Sequence, residues 1–372
     1  HGLIFICALF LLTTHTRFTY EFTLLSLPLL QRGLRPLARN IPSPRRLAPV
    51  FLLVIVAVPV FVFSNVFSNR PAYPLAITNL PTGVVGFLNR QATGGKILNE
   101  TNTGGYLPWE LKAQFKIFMN MQMAVFSDLD FATASKAFTD ANVFQSFLRK
   151  YEPSFISVSL NRPYFKKIIA AKGDKFVPVF FDNVEALYVQ KEHFKDLAAR
   201  YELKTIDPFT YRDIKYQEQR PEQLDKIYLE ALKMYAQDNA NYGASHIICS
   251  ILITRKKLDQ ASPYAENIIR HYPDLSHGYA LKADVLFGQE RYEEAAPLYE
   301  KALAMGQTAS TDNVYRNLYA TYVKLKEFKK AYNLFFQYVN PFHIGTDYKD
   351  IYQLGMSAAT VGKIKEAVTF LQ

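Results

Sequence analysis

The chain has 372 residues, enough for two or three domains, and 15% of them are aromatic. Its two cysteines, Cys7 and Cys249, lie far apart and form no CxxC pair, which argues against a disulfide framework or a cysteine metal site and leaves both as packing residues. The formal charge of +10 invites a nucleic-acid partner, but residues 1–70 hold seven arginines against Glu21, a net of +6, leaving +4 for the other 302 residues. An excess placed beside apolar segments is a membrane-topology signal, so no nucleic acid is expected.

The sequence opens at His1, without methionine, and closes at Gln372 inside a helical pattern; it reads as a fragment, open at both ends. Residues 2–12 are apolar but shorter than the ~20 residues a spanning helix needs, and read as the end of a truncated span. A cleavable signal peptide is the weaker alternative, because no charged start precedes the run and no small-residue cleavage site follows it. Residues 18–30 (FTYEFTLLSLPLL) are interrupted by Glu21 and Pro28. A short span, a re-entrant piece and an interfacial helix all remain open there. Residues 49–67 (PVFLLVIVAVPVFVFSNVF) carry the strongest membrane signal, uncharged and apolar on every face, with Pro59 at a tolerated kink. The loop before it holds Arg32, Arg35, Arg39, Arg45 and Arg46, which places that loop in the cytoplasm and the following chain outside it. The expected location is a bacterial inner membrane, with the lipid bilayer as one partner and the C-terminal domains in the periplasm.

Composition changes at residues 70–74 (RPAYP). From 71 to 205, strand candidates at 96–99, 116–119, 155–160, 176–181 and 186–189 alternate with helical stretches at 81–91, 131–151 and 163–171. Such alternation predicts an extracytoplasmic α/β domain, a sheet covered by helices, with Pro178 marking an edge strand. Gly94-Gly95 and Gly104-Gly105 flank a polar stretch but lack the pattern of a phosphate-cradling loop, and read as tight turns. Asp128-Leu129-Asp130 matches a short metal-holding pattern, yet it precedes a helical run, where one aspartate is expected as the N-cap. Asn99-Glu100-Thr101 is a formal glycosylation sequon.

Over roughly residues 15–200, the chain resembles the C-terminal tail of bacterial polytopic membrane glycosyltransferase-like proteins that use lipid-linked sugars. The resemblance is carried by the run at residues 17–34, the span, the Gly104-Gly105-Tyr106-Leu107 turn with Trp109, and a later strand–Asp–strand unit, Phe180-Phe181-Asp182 followed by residues 186–189. Where such tails carry a Phe-x-Asp-x-Arg ending, this chain has Phe118-Met119-Asn120-Met121-Gln122. The resemblance implies no catalytic residue in this stretch, because the catalytic carboxylates of such enzymes lie in an early extracytoplasmic loop.

From 206 onward the sequence repeats. Ala261, Ala295, Ala331 and Ala367 recur at spacings of 34, 36 and 36. The residues sixteen upstream (Ser245, Tyr279, Tyr315, Ile351), twelve upstream (Cys249, Ala283, Tyr319, Gly355) and four downstream (Ala265, Tyr299, Phe335, Leu371) keep the same register. Pro273 and Pro341 close second helices. A period near 34 built of paired helices resembles a tetratricopeptide (TPR) array. The reading places a cap helix at 221–236 and repeats at 242–275, 276–309, 312–345 and 348–372, the last truncated. Residues 205–219, with Asp207-Pro208-Phe209, read as a packed connection rather than a tether.

The resemblance implies a concave face formed by first helices. Its positions in the three complete units are Gly243, His246, Ser250 and Thr254, then His277, Ala280, Asp284 and Gly288, then Asn313, Arg316, Ala320 and Lys324. A mixed polar groove with Arg316 and Lys324 suits an acidic or carboxylate-ended protein or peptide ligand, against the alternative of a merely solvated face. His246 and His277 lack metal-ligand company. The chain is thus expected to be multidomain: transmembrane helices, a small α/β domain, and an all-α TPR superhelix. No cofactor, metal site or catalytic constellation is expected, and a soluble hydrolase is not supported. Protein–protein interaction on the extracytoplasmic side is the leading function, and a non-catalytic fragment of a membrane glycosyltransferase the alternative.

Overall fold

A computed structural model describes residues 77–120, 127–171, 175–306, 311–339 and 347–371. The expected membrane segments, and Cys7, lie outside the described residues. Among the described residues no helix is long and apolar enough to cross a membrane.

Helix α1 (Thr82–Arg90) precedes a five-stranded sheet of β1 (Gly95–Asn99), β2 (Phe115–Ile117), β3 (Phe155–Ser159), β4 (Phe176–Phe181) and β5 (Glu185–Gln190), in the order β2-β1-β3-β5-β4. β1 runs parallel to β2 and β3, whereas β5 is antiparallel to β3 and β4. The strands β3, β4 and β5 are near-continuous apolar runs, and nearly all their residues are buried, as a sheet covered on both faces requires. Pro178 has no N–H to give a further strand, and β4 is indeed the last strand of the sheet.

Helices α2 (Leu107–Glu110), α3 (Asp128–Ala137), α4 (Ala141–Tyr151), α5 (Phe165–Ala170) and α6 (Lys195–Tyr201) complete this part. The single helix expected over 131–151 is two. Asp140 breaks it, accepting hydrogen bonds from the Asn142 and Val143 N–H groups at 2.8 and 3.1 Å as the N-cap of α4. The N-cap of α3 is Ser127, not an aspartate, and Asp130 closes its capping box by accepting from the Ser127 N–H at 3.1 Å.

Helix α7 (Pro221–Gln237) caps the repeats, which pair α8 (Tyr242–Thr254) with α9 (Leu258–His271), α10 (Ser276–Gly288) with α11 (Tyr292–Ala304), α12 (Thr311–Lys324) with α13 (Phe328–Tyr338), and α14 (Tyr348–Thr360) with α15 (Ile364–Leu371). The four intra-pair turns share one backbone signature. Lys256, Glu290, Lys326 and Gly362 are all left-handed, with φ of 56°, 61°, 61° and 79°. After each, the next N–H reaches back to the preceding helix: Lys257 to the Leu252 carbonyl, Arg291 to Leu286, Glu327 to Tyr322 and Lys363 to Ala358, all at 2.9 Å. This is a Schellman ending repeated in register. Ala261, Ala295, Ala331 and Ala367 are buried at the helix crossings, where a larger side chain would hold the helices apart. The described helices from Tyr242 to Leu371 are thus an array of four helix pairs with the period of 34 to 36 residues read from the sequence.

One apolar core runs from Val84 in α1 to Val285 in α10. The sequence boundary near 205 is therefore no gap in packing. The connecting segment is fastened by Glu230 of α7, whose carboxylate accepts from the Thr205 and Ile206 N–H groups at 3.0 and 2.9 Å. It delivers Tyr211 and Tyr216 into the core, with the Tyr216 hydroxyl donating to the Tyr211 carbonyl at 3.0 Å. Residues beyond that core form two further clusters, one around Tyr299 and one around Phe335.

Candidate functional site

The first repeat turns Gly243 to the end of β4 and buries His246 against the connecting segment, while Ser250 and Thr254 stay half-buried. Asn241 caps α8, accepting from the Ala244 N–H at 2.7 Å, while its amide donates to the Phe181 carbonyl at the end of β4, also at 2.7 Å. Gly243 lies against the Phe181 ring so closely that a Cβ there would stand 2.3 Å from it. His246 is buried, its ring packed edge-on to Tyr211 at 5.7 Å and against Tyr242 and His277, each at 6.2 Å. The Arg212 guanidinium lies over the Tyr211 and Tyr242 rings, at 5.3 and 5.1 Å. Burial, then the neighbouring His277 and Arg212, lowers the His246 pKa to about 3; burial and Arg212 lower that of His277 to about 4. Both rings are neutral at physiological pH and belong to a packed aromatic cluster. His246, placed in the groove by its repeat position, is thus sealed by the chain's own connecting segment, and Ser250 is half-buried.

The second repeat contributes Asp284, which joins three helices: its Oδ1 accepts from the Tyr299 hydroxyl of α11 at 2.6 Å and the Asn317 amide of α12 at 2.8 Å. Burial raises its pKa to about 6, against those two hydrogen bonds. In the third repeat, Arg316 is 43% exposed and pairs with Asp350 of α14 at 2.5 Å, and Lys324 is exposed at the end of α12. The Asn313 side chain lies outside the described residues. Tyr319 and Ser357 share a hydroxyl–hydroxyl bond of 2.7 Å, a second tie between the consecutive inner helices α12 and α14.

One repeat beyond Arg316 and Ala320 stand Tyr352 and Met356, 59% and 48% exposed. Sequence reasoning left them out, although the positional rule that selected Arg316 selects them when carried one unit further. Of the expected residues, Arg316 and Lys324 are exposed, and Tyr352 and Met356 are exposed at the corresponding positions of the next repeat.

The motif residues of the α/β layer have structural duties. Asp182, in the β4–β5 turn, accepts from the N–H groups of Val184, Glu185 and Val84 at 2.8, 2.9 and 3.0 Å, so that it shapes the hairpin and also caps α1. Its burial, opposed by those backbone bonds, raises its pKa to about 6. Asn99 is fully buried and bonds the Phe118 and Met119 N–H groups, each at 3.1 Å, which withdraws the sequon from any glycosylating enzyme in the folded chain. Gly104 is needed for close approach, since a Cβ would stand 2.4 Å from the Met119 carbonyl oxygen. Asp130 is committed to its capping box, and among the described residues no group of three His, Cys, Asp or Glu side chains could hold a metal ion.

No family model and no curated protein matches the sequence. Solved structures similar to part of the chain include MamA (from residue 41 to its end) of Desulfovibrio magneticus RS-1, 16% identical over 43% of this chain and 89% of that one, with a TM-score of 0.35. YrrB, described as a TPR protein with an unusual peptide-binding site, is 14% identical over 40% of this chain and 75% of its own, with a TM-score of 0.32. The pilF product of Pseudomonas aeruginosa is 14% identical over 43% and 73%, with a TM-score of 0.36. None of these supports the glycosyltransferase-tail resemblance.

Proposed function

We propose that the chain is a protein-interaction scaffold whose groove, over the second to fourth repeats, takes an acidic peptide segment that also carries an apolar residue. The reading rests chiefly on one observation: Arg316, paired with Asp350 of α14 yet 43% exposed, and Lys324 are exposed on α12, and Tyr352 and Met356 are exposed on α14. Exposed cationic side chains on one repeat and exposed apolar ones on the next complement a peptide that carries both a carboxylate and an apolar side chain. Selection of displayed random peptides against the chain is expected to enrich acidic sequences with an aromatic or aliphatic neighbour. Arg316→Glu and Tyr352→Ala should each then weaken an enriched peptide by about tenfold in fluorescence anisotropy. Enrichment without acidic character, or affinity unchanged in both variants, would refute it.

In this reading the scaffold is anchored at a membrane through residues 49–67 and faces the extracytoplasmic side, supported by the uncharged run and the arginine-rich loop before it. A cysteine placed at the exposed Lys136, in a Cys7→Ser background, should react with an impermeant thiol reagent in intact cells. Protection there, with labelling only after lysis, would put this part in the cytoplasm.

A further inference from the structure

A cavity of about 400 Å³ opens beside the carboxyl ends of β1 and β3, walled on one side by Pro208, Phe209 and Tyr211 of the connecting segment. Crevices at such strand ends are where α/β sheets commonly hold small ligands. Three buried carboxylates lie in or next to it, and two are fully spoken for. Glu100 accepts from the Ser159 N–H at 3.0 Å and pairs with Arg162 at 2.9 Å. Asp182 spends its oxygens on three backbone N–H groups. Glu185 is different. It lines the cavity with no solvent exposure, and its Oε2 meets the Ser157 hydroxyl at 2.5 Å. The Thr103 hydroxyl lies against the Glu185 carboxylate but donates to the Glu100 carbonyl at 3.2 Å, and Glu185 Oε1 has no hydrogen bond of its own in this arrangement.

A second orphan shares the cavity: Asn183 Oδ1 is unpartnered, while the Asn183 amide donates to the Thr78 carbonyl at 2.5 Å. Both unmet atoms are acceptors. A buried acceptor left unmet forfeits the hydrogen bonds that water gave it, and the loss is greater where the acceptor is charged. Protonating Glu185 on Oε2 would leave Oε1 as an unmet carbonyl, so neutralisation by itself does not cure the defect. The complement has to supply donors. An anion would face carboxylates, and the described residues hold no ligand set for a metal. A hydroxyl offers one donor and no charge; a primary ammonium offers three donors and the missing positive charge. Arg212, which also lines the cavity, keeps its guanidinium over the Tyr211 and Tyr242 rings and donates through Nε to the Tyr211 hydroxyl at 2.9 Å.

We propose that this cavity binds a small molecule through a primary ammonium group seated between Glu185 and Asn183. The proposal is independent of the groove, because it concerns a different face and a different class of ligand.

The test is saturation-transfer NMR on the full chain with matched probes: ethanolamine, 1,4-diaminobutane and glucosamine against ethylene glycol, 1,4-butanediol and glucose. At least one amine should saturate, with its neutral counterpart weaker by about tenfold or more. Glu185→Gln should remove the preference for the amine. Because that change touches a buried site, Asn161→Trp is the second variant: Asn161 lies on the cavity wall and is exposed, so the indole blocks access without disturbing the core. Saturation by none of the amines, equal binding of amine and neutral probe, or amine binding unchanged in both variants would overturn the proposal.

Discussion

Gly243→Ala probes the seam between the sheet and the first repeat. The added Cβ would stand 2.3 Å from Cε2 and 3.0 Å from Cζ of Phe181. Ordinary carbon contacts begin near ~3.5 Å, so helix and ring must separate by about 1.2 Å. The ring has little room to yield: Phe181 is fully buried and packs on Tyr211 with centroids 4.9 Å apart. Overpacking of this kind costs ~1–3 kcal/mol, and the better helix propensity of alanine returns ~0.8–1. The net expectation is a loss of up to about 2 kcal/mol. Gly86→Ala in α1 is the control. Its Cβ would meet only the mobile end of Arg90, at 3.3 Å, so the propensity gain should appear almost undiminished. Urea unfolding followed by circular dichroism should lower the midpoint for Gly243→Ala and raise it for Gly86→Ala, with a common slope. A Gly243→Ala midpoint at or above that of the parent chain would show that the seam is not packed as described.

Asn241→Ala removes both the cap of α8 and the donor to the Phe181 carbonyl, and should cost ~1–3 kcal/mol by the same assay; an unchanged midpoint would disprove the double role. Ala295→Leu should overpack α10 against α11 and cost ~1–3 kcal/mol, so undiminished thermal stability would refute the repeat register. Glu290→Gly relieves a left-handed turn residue and should stabilise by ~1 kcal/mol in urea, whereas destabilisation would contradict the turn geometry. Burial raises the Glu185 pKa from 4.5 to about 7, so between those values the folded chain holds a proton that the unfolded chain has lost. Its contribution therefore destabilises the fold as pH rises through that window and is constant above it. Glu185→Gln should gain on the parent by an amount on the order of 1–3 kcal/mol between about pH 5 and about pH 8, and a gap independent of pH would count against the buried charge.

The array was legible because its signal is periodic. Four alanines in register at 261, 295, 331 and 367 fix every helix crossing, and no single residue has to be interpreted alone. The strands were nearly as plain, since β3 to β5 are apolar runs of strand length, and Pro178 marked the edge. What stayed hidden depends on contacts between residues distant in sequence. Asp182 reads as a motif aspartate, but its duty comes from Val84, 98 residues earlier. His246 occupies a groove position by repeat arithmetic, and only the fold brings Tyr211 over it. Asn99 satisfies a sequon, and its burial follows from the ending of β2. Periodicity finds elements; it does not report what another element lays on top of them.

That covering sets where a ligand can go. Residues 204–219 wall the cavity with Phe209 and Tyr211, while Tyr211 also packs on His246 and Arg212 caps Tyr242. One short segment thus closes the first repeat and bounds the Glu185 cavity. Filling the cavity would press on the same Tyr211 that seals α8, and α8 shares its core with α10. From the cavity, ring contacts run from Tyr211 to the buried His246 and on to the half-buried His277 at the start of α10. Rigid contact of this kind transmits a shift only if one of its members has two resting places. The unmet acceptors at Glu185 and Asn183 lie at one end of the run and Arg316 beyond the other. An amine that binds the cavity and leaves peptide affinity at Arg316 unchanged would show the two sites to be energetically separate; any change in that affinity must be matched by an equal effect of peptide on amine.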